Sequence, residues 1–136
     1  MVTFRLWGDG SGTTADVTQR LGLTPDHTAE AGDAVGRGSS PARTESLWSI
    51  AGCPGPEDDV ELTVQLHRVL ERLEPVARQL WELVGAGHEA NWFCYVGSHS
   101  LEHAVELDRE TLRRLLTLPG QLCLDVYPDD DENGPP

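Results

Sequence analysis

Val2, Phe4 and Leu6 are apolar and are separated by Thr3 and Arg5, with Trp7 falling on the face opposite Phe4. That period of two predicts a half-buried strand at the start of the chain. A short helix follows in the pattern: Thr13 is placed to cap it, Asp16 lies in its first turn, Val17 and Leu21 face inward, and Gly22 ends it. Turn residues dominate from Pro25 to Pro56, interrupted by Leu47, Trp48 and Ile50, which predict a second strand. The strongest helical period runs through Leu62, Leu66, Val69, Leu70, Leu73, Ala77, Leu80, Trp81 and Val84. Pro75 removes a backbone donor within it, so a kink or restart is expected there, and Gly85 and Gly87 close it. "EANWFCYVG" then predicts a central strand, and "DRETLRRLLTL" a helix capped by Asp108 with Leu112, Leu115 and Leu116 inward. "QLCLDVY" predicts a last strand with Leu122, Leu124 and Val126 on one face.

Alternating strands and helices of these lengths predict an α+β fold. Helices cover one face of a four- or five-stranded sheet, in a manner reminiscent of ferredoxin-like folds. At 136 residues the chain suits one domain, assigned to residues 1–128, with a disordered acidic tail over 129–136. No stretch reaches the length of a membrane span, and no basic and apolar leader opens the sequence, so a cytoplasmic protein is expected. The three cysteines, Cys53, Cys94 and Cys123, form no C-x-x-C pair and no even framework, which fits reduced thiols.

Charge changes the picture more than composition does. The net charge is −13, and setting aside Asp129, Asp130, Asp131 and Glu132 still leaves 19 acids against 10 arginines. The acidity therefore belongs to the domain. There is no lysine, and the arginines are scattered, so nucleic acid is excluded as an expected ligand. A basic protein or peptide is the partner that such a field would draw.

The glycine-rich stretch "GDGSGTT" from Gly8 fails both phosphate templates. No Lys follows its last glycine, the glycines alternate, and Asp9 would repel an anion. Within "SHSLEHAVE", His99 and His103 are four apart with Glu102 between them, a spacing that returns both imidazoles to one face of a helix or a strand. Acid–base chemistry by His99, Glu102 and His103 is the candidate site if the protein is an enzyme. The H-E-x-x-H order is absent and no third ligand has a recognisable spacing, so no metal and no cofactor are expected. His67 reads as part of the wet flank of the long helix. Cys94, between Trp92 and Val96, reads as a buried small hydrophobe, and Cys123 as a residue of a more polar face. Of the four tryptophans, one left exposed beside acids would be an interface anchor. Glu57, Asp58, Asp59 and Glu61, at the start of the long helix, are the candidate binding residues for a cationic partner.

"LGLTP" at Leu21–Pro25, "GD" at Gly32 and Asp33, "LWSI" around Trp48, "LHRVLERLEP" at Leu66–Pro75 and "LDVY" at Leu124–Tyr127 together resemble a bacterial family, domain of unknown function 4279. The resemblance runs nearly to Pro128 and implies a single-domain fold, with no catalytic motif to carry over. Between Gly97 and His103 the chain departs from the glycine- or asparagine-rich pattern of that family, which makes these histidines its own. Two functions lead, with a ligand-sensing domain that has a pocket between the helices and the sheet as a third. The first is a non-enzymatic protein-binding domain, such as an immunity-type inhibitor of a basic toxin. The second is a small accessory enzyme acting on a peptide or small molecule through His99 and His103.

Overall fold

The computed structural model describes residues 1–8, 13–31, 45–53, 61–98 and 105–128. The chain runs through β1 (Val2–Gly8), α1 (Thr14–Leu21), β2 (His27–Ala29), β3 (Ser46–Ala51), α2 (Leu62–Leu73), a 3-10 turn (Glu74–Val76), α3 (Ala77–Gly85), β4 (Glu89–Ser98), α4 (Arg109–Leu116) and β5 (Gln121–Pro128). The five strands form one mixed sheet in the order β2-β3-β1-β4-β5. β1 lies at its centre and pairs antiparallel with both neighbours, Phe4 opposite Ile50 on one side and Trp92 on the other. β4 and β5 run parallel, joined by α4 as a crossover. This is the expected α+β arrangement, and its likeness to ferredoxin-like folds is one of layers only.

Alternation along β1 buries Val2, Phe4 and Leu6 and leaves Thr3, Arg5 and Trp7 half-buried on the other face. The buried row meets Trp48 and Ile50 of β3 and Trp92 and Cys94 of β4. Val17 and Leu21 of α1, Leu66, Val69, Leu70 and Leu73 of α2, and Leu80 and Leu83 of α3 close over them as one core. Phe4 and Trp92 meet edge to face with ring centroids 5.1 Å apart, an arrangement worth roughly 0.5–1.5 kcal/mol beyond its buried area. The indole N–H groups are not wasted: Trp48 Nε1 donates to Thr18 Oγ1 at 3.0 Å, and Trp92 Nε1 to the Pro119 carbonyl at 3.3 Å.

Pro75 restarts the long helix as expected, with the 3-10 turn separating α2 from α3. Gly22 takes the left-handed conformation (φ 66°) that ends α1. Two expectations need correction. His27–Ala29 is a strand within the segment read as loop, because a three-residue edge strand is too short to leave a period. Leu112 and Leu116 do not face inward; both are exposed, and α4 instead buries Thr111 and packs Leu115 on the core.

Candidate functional site

α1 begins with a reciprocal cap. Thr13 Oγ1 accepts from Asp16 N at 3.3 Å, and Asp16 Oδ2 accepts from Thr13 N at 3.0 Å. The next donor, Thr14 N, is taken by Glu30 Oε1 at 2.9 Å. Two carboxylates and a hydroxyl thus occupy the Thr13, Thr14 and Asp16 N–H groups, which an anion at this helix start would otherwise draw on. Gly10 and Gly12 lie outside the described residues.

His99, Glu102 and His103 also lie outside the described residues, as do Glu57, Asp58 and Asp59. Glu61 is exposed at the residue preceding α2, and its side chain makes no capping bond. Among the described residues, no three His, Cys, Asp or Glu side chains are grouped as metal ligands would be.

The described residues do bring together a cleft that the sequence pattern does not reveal. It measures about 690 Å³ and lies between α2 and the start of α4, where Thr63 and His67 face Glu106, Leu107, Asp108 and Thr111. His67 is half-buried, not solvated: its Nε2 lies 2.9 Å from Thr111 Oγ1. Asp108 caps α4 by accepting from Thr111 N at 2.7 Å. That N–H, and then the Thr111 hydroxyl, hold the Asp108 carboxyl below the usual carboxylate range, with the nearby His67 adding to the effect. His67 Nε2 and the Asp108 carboxylate thus meet on one residue, Thr111. The chain of three is a brace between helices. Thr111 is 2% exposed, so its hydroxyl is shielded from any substrate.

A second feature lies on α4 and β5. By register Leu122, Leu124 and Val126 sit beside Trp92, Cys94 and Val96 on the helix-bearing face, yet all three are exposed, Val126 by 54%. Leu112 and Leu116, one turn apart on α4, are exposed as well, Leu116 by 82%. Trp81 of α3 is 50% exposed, and its Nε1 donates to the Thr117 carbonyl at 2.9 Å, which sets the indole against the end of α4. Its sequence neighbour Glu82 is exposed too and meets Arg78 and Arg20 at 3.4 and 3.8 Å. Trp81 is thus an exposed tryptophan beside an acid.

Of the thiols, Cys94 is buried, and desolvation pushes it up to about 11, so it is inert; Cys123 is exposed on the opposite face of the sheet. No described helix is long and apolar enough to cross a membrane. No curated protein and no solved structure matches the chain. A family model described as domain of unknown function (DUF4279) matches residues 1–129, nearly the whole chain, and the protein therefore belongs to the DUF4279 family.

Proposed function

We propose that this domain binds another protein, using the apolar rows of α4 and β5 with Trp81 as anchor. The observation that supports it is the exposure of Leu112, Leu116, Leu122, Leu124 and Val126 on two consecutive elements, where alternation and helical spacing would ordinarily put core. Large exposed apolar rows on a small domain mark contact surfaces, and a tryptophan fixed by one hydrogen bond loses little freedom when covered. The partner is cationic. A charge of −13 favours encounter with a basic surface, and Glu61 with Glu57, Asp58 and Asp59 would extend the field at the start of α2. An immunity-type inhibitor that caps a basic toxin in the cytoplasm has this chemistry.

The accessory-enzyme reading gains less from the cleft. His67 spends one nitrogen on the hydroxyl of a threonine that is itself buried. That geometry suits a fixed frame better than proton transfer.

The test compares the wild-type chain with Leu116→Glu combined with Leu124→Glu. Both sites are exposed, so folding should survive. The wild type should retain a basic protein at one-to-one stoichiometry that the double variant loses, and the purified pair should associate more slowly as salt rises. Equal retention by both would overturn the reading. So would light scattering that gives twice the 14.9 kDa chain mass for the wild type and a monomer for the variant, since a second copy would then cover the rows.

A further inference from the structure

The two edges of the sheet are finished differently. On one side β2 is only three residues long, and just before it Asp26 extends the ladder: its backbone N–H donates to the Ser49 carbonyl at 2.8 Å, and its Oδ2 accepts from Ala51 N at 2.8 Å. Arg72 Nη1, from α2, holds that carboxylate at 3.1 Å. Shortness and a charge blunt this edge, two of the usual protections of an open strand. β5 forms the opposite edge of the five strands. It is eight residues long and pairs with β4 over all of them in an unbroken register, so no bulge bends it away. From Gln121 to Tyr127 there is no proline and no lysine, and Asp125 is the single charged residue.

Both faces of this strand are open as well. Leu122, Leu124 and Val126 are exposed on the helix-bearing face, and α4, tied by polar contacts to α2 and the 3-10 turn, does not cover them. Gln121 and Cys123 are exposed on the other face, where Asp125 is half-buried and makes no ion pair among the described residues. In a strand paired on one side, every second residue turns its N–H and C=O outward, which is the ladder an added strand needs. We propose that the β5 edge receives an extended, basic segment of the partner protein as a sixth strand. The segment's backbone continues the ladder, its apolar residues at every second position lengthen the row of Leu122, Leu124 and Val126, and a lysine or arginine between them meets Asp125. A second copy of the chain is the poorer occupant, since two molecules each at −13 repel. This mode of docking rests on the protein-binding role proposed for the same apolar row, and adds to it the partner's conformation and the residue its charge meets.

The experiment uses the 15N-labelled full chain and a synthetic peptide of about seven residues, blocked at both ends, that alternates valine with lysine and arginine. In the free protein every second amide of β5 should exchange quickly with solvent. Adding the peptide should slow those amides by about tenfold or more and give cross-strand NOEs between the two backbones. N-methylation at alternate peptide residues separates its two edges: methylating the set that faces β5 should weaken binding about tenfold or more, and methylating the other set should leave it unchanged. Asp125→Lys should weaken binding about fivefold or more, and Asp125→Asn by a smaller factor. Slow exchange of every β5 amide in the free monomer overturns the proposal, because the chain then covers its own edge. A dimer with those amides protected in the absence of peptide overturns it too, as does the absence of any added protection with peptide in excess. Equal affinity for the two methylated peptides overturns the added strand but leaves side-chain docking on the row standing. Failure of that docking is read separately, in the retention of a basic protein by the variant carrying Leu116→Glu and Leu124→Glu.

Discussion

Gln65 shows how much a single side chain can carry. It is 3% exposed on α2, and its Oε1 accepts from the Val2 backbone N–H at 2.9 Å, while Val2's carbonyl accepts from Gly52 N at 2.8 Å. The first residue of the central strand is thereby tied to a helix and to the end of β3. Gln65→Leu keeps the volume and orphans the buried N–H, so it should cost about 1–3 kcal/mol in urea denaturation. Gly52 is required at this junction for another reason. A Cβ there would stand 2.5 Å from the Gln65 carbonyl oxygen and 2.7 Å from its Cβ, so Gly52→Ala must push α2 off the sheet. The two substitutions damage one contact. Their combined loss should therefore fall short of the sum, which a double-mutant cycle measures directly.

Among elements, α4 is held by its polar side and by Leu115, and not by Leu112 or Leu116. Arg114 grips both oxygens of Glu74 in the 3-10 turn, with Nε 3.1 Å from each, and the His67–Thr111 contact adds a second tie to α2. The hydrogen bonds from Arg114 hold the Glu74 carboxyl below its usual range. A lowered carboxylate pKa means that the pair contributes fully above the ordinary glutamate value and is lost as pH falls through the lower folded one. The stability difference between wild type and Glu74→Gln should thus be largest near neutrality, about 1 kcal/mol for a pair this exposed, and vanish in acid. At α1, Thr13→Ala breaks the reciprocal cap and should cost about 1 kcal/mol. That cap was legible in the sequence because it is local: Thr13 and Asp16 are three residues apart. The outward turn of Leu112 and Leu116 was not, since a leucine stripe records amphipathicity and not what covers it. The half-burial of His67 is hidden from its own helix pattern for the same reason, as α4 is what brings Thr111 to it. The short β2 left no period, and His99 and His103, the pair the spacing singled out, lie outside the described residues.

For the molecule as a whole, acidity and apolar exposure act at different ranges. Charge governs the approach of a partner and the apolar rows govern its residence, so the two should separate kinetically. Raising salt from about 0.05 to 0.5 M shortens the screening length several-fold and should slow association while leaving dissociation nearly constant. Trp81→Ala should do the reverse, speeding dissociation with little change in the on-rate; surface plasmon resonance distinguishes them. The position of β1 has a consequence for how the protein is made. The strand at the centre of the sheet is synthesised before β3 and β4, the two strands that flank it. At roughly 5–20 residues per second it waits on the ribosome for seconds with Val2, Phe4 and Leu6 bare. Nascent chains that stall before β4 emerges therefore present an unpaired apolar strand, and they are the species that chaperones must shelter.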